Sequence, residues 1–363
     1  LELDLLPCLV DMTWRGVRVD VNRVERTRDS LLKREREVLK QLKRVAGPGV
    51  EIWAAQSLAK SFDNLGIPYA KTEKGAPSFT KAFLQDHKHP VAKLIVEARN
   101  LNKTSGTFIN TIMKHCRADG RIHSHINQLR SDDGGTVSGR ISMRNPNLQQ
   151  IPARDPIYGP MIRSLFLPES GDQWAAIDFS QQEPRILVHY AHVYQLDISV
   201  DEAKGLVKQY HARVPFVKGL MTGVTNRLND KSSGGALRSL EGRKCRFDLW
   251  EPDTFSMNKA LPFEEAVAQH GPTTRLKRAF TYKALNRLIQ ASAADMTKRA
   301  MVNLYKLGKL PLLQIHDELA MSVSTYEEAK EIARVMENAV PLEVRNACDI
   351  EIGPSWGEAV AQT

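Results

Sequence analysis

The chain has 363 residues, of which 42% are apolar and 26% charged, a composition typical of a folded protein with one large core or two to three smaller ones. Its net charge of +9 favours a polyanionic partner such as nucleic acid, although many basic proteins bind none. No apolar run approaches the ~18 residues that a membrane span needs, and the first residues lack the layout of a signal peptide. We therefore expect a cytoplasmic protein that makes no membrane contact.

The four cysteines are scattered along the chain, with no CxxC pair and no histidine at zinc-ligand spacing. This pattern suggests neither a disulfide framework nor a structural zinc site. The cysteines are therefore expected to be ordinary buried thiols in a reducing compartment.

The first part of the chain predicts a mainly helical region. After a helical start and a short strand at 16–20, a long charged helix is expected over 21–46, where the GPG sequence at 47–49 ends it. A second long helix is expected over 90–116. The two helices bracket a loop-rich stretch at 70–78, which suits an elongated arm with basic loops at its tip. Simple solvation also explains the charged helix face.

From residue 122 the pattern changes to short strands and turns. Residues 174–179 predict an apolar strand, and Pro184 marks the first turn of the next helix. A capping box at 199–202 predicts another helix, and a long helix is expected over 274–307. The second half of the chain is therefore expected to mix helices with sheet.

Two aspartates lie where predicted strands end. Asp178 ends the strand at 174–179, and Asp317 lies in the turn of a hairpin predicted over 312–323. A carboxylate at the edge of an apolar strand is costly to desolvate unless a cation compensates it. Two such carboxylates suit Mg²⁺, and a pair of ions about 4 Å apart can activate a 3′-hydroxyl and neutralise a leaving pyrophosphate. One such strand alone is more often a capped turn, but both together predict a magnesium site.

Two segments around these aspartates carry a specific resemblance. Residues 178–185, DFSQQEPR, resemble motif A of the family A DNA polymerases, usually DYSQIELR, and residues 314–319, QIHDEL, resemble motif C. Gln182 and Pro184 depart from the usual Ile and Leu, which suggests a divergent, phage-type member. The resemblance implies a DNA-directed DNA polymerase that uses Mg²⁺, primer-template DNA and deoxynucleoside triphosphates. It does not indicate any protein partner.

The fold that the resemblance implies is α+β, a right-hand polymerase fold with an antiparallel palm sheet, a helical thumb and partial fingers. The expected divisions are a palm base at 1–20, a thumb at 21–118, palm with motif A at 119–190, residual fingers at 191–270 and palm with motif C at 271–363. No exonuclease domain precedes Leu1 in this sequence, so proofreading is not assigned to it.

The resemblance also implies roles for residues of the two motifs. The metal ligands would be Asp178, Asp317 and the backbone carbonyl of Phe179, with Glu318 as a supporting acid. Gln181 and Glu183 would lie at the nucleotide. Glu183 would be the steric gate, whose side chain occupies the space that a ribose 2′-hydroxyl needs.

Further resemblances extend over nearly the whole chain. Residues 138–152 resemble the TGRLSS…PNLQNIP element of the family, Asn286 and Gln290 match its N-x-x-x-Q helix, and 75–78 and 102–107 resemble its thumb. Uncharged and basic donors can test the minor-groove acceptors that every correct base pair shares. In isolation, the Asn and Gln residues would more simply be solvated on a helix surface. The implied minor-groove residues are Arg140, Gln149, Asn286, Gln290 and His316, and the implied phosphate contacts are Lys103, Thr104 and Ser105.

One part of the family pattern is missing. The family has a fingers helix with an Arg and a Lys that hold the triphosphate, followed by an aromatic residue and a Tyr-Gly, and nothing here fits it. We expect several tens of residues to be missing near Gln195, with the backbone ends at Gln195 and Leu196 too far apart for a peptide bond. A continuous peptide there would favour a catalytically silent DNA-binding module. A nuclease that uses the same acids is a third alternative, but it leaves the minor-groove residues unexplained.

Overall fold

A computed structural model of the chain describes residues 1–130, 135–153, 155–193, 215–229, 234–254 and 258–362. The helices are α1 (Glu2–Arg15), α2 (Val21–Ala46), α3 (Ala55–Asn64), α4 (Lys81–Asp86), α5 (Pro90–Lys103), α6 (Asn110–His115), α7 (Tyr158–Arg163), α8 (Gln182–Val193), α9 (Pro215–Asn229), α10 (Phe263–His270), α11 (Ala284–Lys306) and α12 (Tyr326–Glu337). A π-helical segment, Thr104–Ile109, joins α5 to α6.

The strands are β1 (Val17–Val19), β2 (Ala70–Lys71), β3 (Pro77–Ser78), β4 (Arg121–Ile122), β5 (His125–Asn127), β6 (Ser142–Arg144), β7 (Phe166–Leu167), β8 (Gln173–Phe179), β9 (Ala236–Arg238), β10 (Lys244–Arg246), β11 (Leu249–Pro252), β12 (Leu261–Pro262), β13 (Leu276–Arg278), β14 (Leu313–Ile315), β15 (Glu318–Val323), β16 (Cys348–Gly353) and β17 (Val360–Ala361). The chain divides into a sheet unit of residues 1–16, 124–149 and 168–363, and a helical unit of residues 17–123 and 150–167.

The sheet unit is built on a five-stranded antiparallel sheet in the order β14-β15-β8-β16-β17. Its middle strand, β8, is buried over most of its length because its residues are apolar on both faces, and Trp174 stacks on Trp356 at 5.7 Å between ring centroids. Helix α12 packs on β8, β15 and β16. The sheet is therefore covered by helix and holds its strand ends in fixed positions.

Helix α11 lies at the centre of the helices in the sheet unit, where it packs against α1, α8, α9 and α12. Its buried charges are paired. Asp295 accepts hydrogen bonds from the backbone N–H of Glu241 and from Nε of Arg243, both at 3.1 Å, and Lys298 donates to the two carboxylate oxygens of Glu2 at 2.9 and 3.1 Å. Pairing offsets the cost of removing these charges from water. The contacts attach α1 and the β9–β10 hairpin to α11.

The helical unit contains the antiparallel pair α2 and α5–α6. Arg28 of α2 contacts the sulfur of Met113 at 3.5 Å, whereas Arg34, further along α2, donates to the carboxylate of Glu97 at 2.8 Å. An edge-to-face ring pair, Phe62 and Phe79, anchors the segment between the two helices, with centroids 4.9 Å apart.

Several sequence predictions are confirmed. The helix over 21–46, the strand that ends in Asp178 and the hairpin around Asp317 all form, and the mixed, antiparallel α+β class is correct. The helix predicted over 90–116 forms with a π-helical segment inside it. The four cysteines are free thiols as predicted, but only Cys8 is buried and the other three are partly exposed. No helix among the described residues is long and apolar enough to span a membrane.

The helix predicted over 274–307 is wrong at its start. Residues Leu276–Arg278 form β13, which pairs with β11, and α11 begins at Ala284. Phe280 has a positive φ of 61°, which separates the strand from the helix. Pairing with a distant strand has overridden the local pattern. The helix predicted from the capping box at 199–202 and the expected break between Gln195 and Leu196 lie outside the described residues.

Candidate active site

Three adjacent strands bring acidic residues to one end of the central sheet. Asp178 of β8 lies opposite Glu318 of β15 on one side and opposite Asp349 of β16 on the other. Residues directly opposite each other on antiparallel strands point to the same face of a sheet. Asp317 precedes Glu318 in the turn after β14, and its carbonyl accepts a hydrogen bond from the N–H of Phe179 at 3.4 Å. Four acidic residues therefore occupy neighbouring positions at this end of the sheet.

The turns beside these strands depend on backbone conformations that are uncommon for residues other than glycine. His316, between β14 and β15, has a φ of 58°, and Gln181, between β8 and α8, has a φ of 56°. The N–H of Ser180 donates to the carbonyl of Ala347 at 2.8 Å, and Nε of Arg185 donates to the carbonyl of Ser180 at 2.8 Å. These bonds fix the turn that follows Asp178.

Asp178, Asp317 and Asp349 line an open cleft of about 520 Å³, whereas Glu318 lies outside its lining. Most of the predicted motif residues line it, namely Arg140, Asp178, Phe179, Gln181, Glu183, His316 and Asp317. The two motifs, which lie far apart in the sequence, thus meet at one place in the sheet unit.

The carboxyl groups in the cleft are strongly crowded. Burial, and then the neighbouring charges of Asp317, Glu318 and Asp349, raise the pKa of Asp178 to about 7. Burial also raises the pKa of Asp317, although the nearby charges of His316 and Arg140 oppose this. Oδ1 of Asp178 is buried and has no hydrogen-bond donor among the described residues. A bound cation would relieve both the repulsion and the missing contact.

The number of side chains available as ligands limits which cation suits this cleft. No three His, Cys, Asp or Glu side chains within the described ranges converge closely enough to hold an ion by themselves. Mg²⁺ is commonly held by only one or two carboxylates, together with water and substrate phosphates. Asp178 and Asp317, with the predicted carbonyl of Phe179, fit an ion of this kind.

Arg140 and Glu183 form an ion pair in the cleft. Nη2 of Arg140 donates to Oε1 of Glu183 at 2.6 Å, and both side chains are partly exposed, at 33% and 26%. The sequence predicts separate roles for them, one at the DNA minor groove and one at the nucleotide sugar. The structure brings the two residues into direct contact.

Gln182, which departs from the family pattern, has hydrogen-bond partners in the structure. The Gln182 side chain is buried against α11, and its Nε2 donates to Oγ1 of Thr297 at 3.2 Å and to the carbonyl of Ala293 at 3.3 Å. Nearby, the hydroxyls of Tyr190 and Ser292 are 2.7 Å apart. Helix α8 is therefore held on α11 by polar contacts as well as by apolar packing.

The other predicted DNA-binding residues of the sheet unit lie outside the cleft lining. Nε2 of Gln149 donates to the carbonyl and to Oε1 of Gln314, both at 3.1 Å, so Gln149 contacts the strand that leads to Asp317. Asn286 is exposed and Gln290 is half-buried in the first turns of α11.

In the helical unit, Lys103 is exposed, but Thr104 and Ser105 are buried at the start of the π-helical segment. The Ser105 hydroxyl donates to the carbonyl of Leu101 at 3.0 Å. In this conformation Lys103 is the member of this group that can reach a phosphate.

Asp349 is the acidic residue of the cleft that the sequence reasoning missed. It lies on β16, where the sequence from Cys348 to Gly353 alternates apolar and acidic residues in the manner of a half-buried strand. The alternation could have indicated the strand. It could not have indicated that β16 lies beside β8.

The family model for DNA polymerase family A matches residues 21–196 and 192–358, in two parts that meet at 192–196. The DNA-directed DNA polymerase of Pseudomonas phage M6 is 33% identical over 440 aligned positions, which cover 99% of this chain and 66% of that protein. The thermostable DNA polymerase I of Thermus filiformis is 30% identical over 404 positions, which cover 99% of this chain and 48% of that protein. The chain thus spans about two thirds of the first relative and half of the second.

A solved structure has a similar fold. The POL domain of Pol1 from M. smegmatis, in complex with DNA primer-template and dNTP, matches with a TM-score of 0.71 and 24% identity, over 98% of this chain and 70% of that one. The likeness extends over nearly all of the chain.

The crowding of the acids predicts a pH-dependent stability when divalent cations are removed by EDTA. Because the pKa of Asp178 is raised to about 7, the folded chain retains a proton that the unfolded chain loses near pH 4, so the stability that this proton contributes is lost progressively as pH rises from about 4 to about 7. Asp178→Asn should therefore raise the melting temperature more at pH 8 than at pH 5. The matched control is Asp86→Asn, at the exposed end of α4. Equal shifts at both pH values for Asp178→Asn would contradict the crowding.

Proposed function

Because the chain belongs to DNA polymerase family A, we propose that it acts as a template-directed DNA polymerase, adding deoxynucleotides to a primer 3′ end. The observation that carries this proposal is the row of acids across β15, β8 and β16, beside an open cleft that residues of both motifs line. The phage M6 and Thermus filiformis relatives are named as DNA polymerases, which supports this activity. The DNA and dNTP bound to the solved neighbour support primer-template DNA and deoxynucleoside triphosphates as partners.

In this proposal Asp178 and Asp317, with the carbonyl of Phe179, hold the catalytic Mg²⁺, and Glu318 and Asp349 add negative charge around it. A pair of bound ions supplies activation of the primer 3′-hydroxyl and neutralisation of the triphosphate. The protein residues contribute positioning and charge rather than a nucleophile, as in other phosphoryl transfers. The raised pKa of Asp178 fits this role, because the carboxyl group lacks the counter-charge that the ions bring.

Selection of the sugar is assigned to Glu183, with Gln181 beside it in the cleft lining. Arg140 holds the Glu183 carboxylate at 2.6 Å, and the contacts of Gln182 to α11 fix the helix that carries Glu183. The gate is thus supported on two sides, by an ion pair and by buried hydrogen bonds.

Contacts to the DNA are assigned to two groups of residues. Arg140, Gln149, Asn286, Gln290 and His316 are the proposed minor-groove group, although Gln149 already donates to Gln314. Lys103, with Thr104 and Ser105 behind it, is the proposed phosphate contact of the helical unit. A groove of about 500 Å³ along α2 offers more positive charge for the same purpose, from Arg36, Lys40, Lys43 and Arg44.

The second candidate function is the silent DNA-binding module, which one observation favours. The alignment with the phage M6 enzyme has 440 positions, whereas this chain has 363 residues, so that relative has residues without a counterpart here. The family model matches in two parts that overlap at 192–196, and this junction supports the proposal that the additional residues belong to a fingers segment near Gln195. A chain without that segment would lack the cationic donors for the triphosphate. Primer extension by the 363-residue chain separates the two functions.

Removing either proposed metal ligand should abolish nucleotide addition. For Asp178→Ala and Asp317→Ala we expect no detectable primer extension, because the cation site is lost. The affinity for primer-template should stay within about tenfold of that of the unmodified chain, because phosphate contacts dominate binding. Asp86→Ala serves as the control. Near-normal extension by either variant would refute the metal assignment, and an unmodified chain that binds but never extends would identify the silent module.

Replacing the proposed steric gate should weaken sugar discrimination. We expect Glu183→Ala to raise the ratio of ribonucleotide to deoxynucleotide incorporation by roughly 10- to 100-fold, the size of effect that one added group in a tight pocket produces. Glu183→Gln is the matched control, because it keeps the volume and can still accept a hydrogen bond from Arg140. An unchanged ratio in Glu183→Ala would count against the gate.

A further inference from the structure

Asp349 belongs to neither of the two family motifs, yet it lies beside their acids. On β16 it is directly opposite Asp178, and it lines the same cleft as Asp178 and Asp317. Residues opposite each other on antiparallel strands have Cα atoms roughly 4.5–5.5 Å apart. The strand pairing therefore fixes a third acid next to the proposed cation site.

The start of β16, which carries Asp349, is anchored on two sides. The N–H of Ser180, in the turn of motif A, donates to the carbonyl of Ala347 at 2.8 Å. The N–H of Cys348 donates to Oε1 of Glu337, at the end of α12, at 2.9 Å. Asp349 therefore has a backbone position that is set by both the motif and the helix that covers the sheet.

The Asp349 side chain has no counter-charge in the structure. It is exposed, and it takes part in no ion pair with any other residue that the structure describes. Nε of Arg185, at the start of α8, donates to the carbonyl of Ser180 at 2.8 Å rather than to this carboxylate. Across the strand pair, Oδ1 of Asp178 is buried without a donor among the described residues. Two neighbouring carboxyl groups in this situation favour a bound cation.

A second acid on β16 shows what is special about Asp349. Glu351 follows two residues later on the same face and is also exposed, but it lies opposite Ala176 and is not part of the cleft lining. The alternation of acidic and apolar residues alone is typical of a half-buried strand with solvated acids. The acid opposite it, and not the alternation, therefore distinguishes Asp349.

The geometry also limits how Asp349 can act on an ion. In the part of the chain that the structure describes, no three His, Cys, Asp or Glu side chains converge closely enough to hold a metal together. Direct coordination by Asp349 together with Asp178 and Asp317 is therefore excluded in this conformation. Mg²⁺ usually keeps several waters, and the open cleft leaves room for them. A third carboxylate can accept hydrogen bonds from such waters.

We propose that Asp349 is a third acid of the cation site, which contacts the ion through water and lets the chain bind a divalent cation before the nucleotide arrives. Where one or two carboxylates hold Mg²⁺, substrate phosphates usually complete the site. With Asp349 the protein supplies more of that negative charge itself. The inference deepens the proposed function, on which it rests for the identity of the cation.

The test is a calorimetric titration of the full chain with MgCl₂ at pH 8, without DNA or nucleotide. In about 20 mM KCl, Asp349→Asn should weaken Mg²⁺ binding roughly 3- to 10-fold, as expected for the loss of one charge about 6 Å from a divalent ion in a water-like dielectric. Salt screens an interaction of this kind, so the loss should fall below about twofold in about 0.5 M KCl. A side chain that only packs would not show this salt dependence.

Two further variants serve as controls. Glu351→Gln removes the same charge from the same face of β16, about 7 Å further along the strand, and should weaken Mg²⁺ binding less than about twofold. Asp349→Glu keeps the charge and should bind within about twofold of the unmodified chain. The proposal is overturned by equal losses in Asp349→Asn and Glu351→Gln, by a loss in Asp349→Glu as large as in Asp349→Asn, by a loss that salt does not reduce, or by an unmodified chain that binds no Mg²⁺.

Mg²⁺ binding by the free chain requires no primer extension, so failure of this proposal can be told apart from failure of the proposed function. A chain that never extends a primer, but loses Mg²⁺ affinity in Asp349→Asn as described, refutes the polymerase function and supports the third acid. A chain that extends primers, while Asp349→Asn binds Mg²⁺ as tightly as the unmodified chain, supports the function and refutes the third acid.

Discussion

The repulsion between carboxyl groups at the ends of β15, β8 and β16 is the constraint on which the rest of the site depends. Neighbouring strands are about 4.8 Å apart, and their backbone hydrogen bonds prevent the acids from separating. Asp178 is the most affected because it is partly buried and has acidic neighbours on both sides. Only a proton or a cation can relieve this strain in place. The pairing of the strands therefore favours binding of a cation beside Asp178, where the cation would reduce the repulsion between the carboxyl groups.

The surroundings maintain that arrangement. The sheet is fixed by α12, and α8, which follows Asp178, is held on α11 through Gln182 and Tyr190. The ion pair between Arg140 and Glu183 places a paired charge in the same cleft. By contrast, Oδ1 of Asp178 has no hydrogen-bond partner among the described residues. The paired carboxylate of Glu183 therefore suits a structural or gating role, whereas the carboxylate of Asp178 suits a metal ligand.

Features that depend on local sequence could be predicted from the sequence alone. Asp178 and Asp317 could be predicted because each ends an apolar strand within a short motif, and α2 could be predicted because one continuous pattern defines it. Asp349 could not be predicted, because its position beside Asp178 depends on the pairing of strands far apart in the chain. The ion pair between Arg140 and Glu183 depends on distant partners in the same way. So does strand β13, which forms where the sequence predicted the start of a helix.

Calorimetric titration of the chain with Mg²⁺ at pH 7, in two buffers of different ionisation enthalpy, tests the central claim most directly. Metal binding displaces protons from its ligands, and the raised pKa of Asp178, about 7, means that its carboxyl group still holds a proton in part of the molecules at this pH. We predict binding with net proton release, and a smaller release in Asp178→Asn. Binding without proton release, or release that is unchanged in Asp178→Asn, would contradict the assignment of the crowded acids as the cation site.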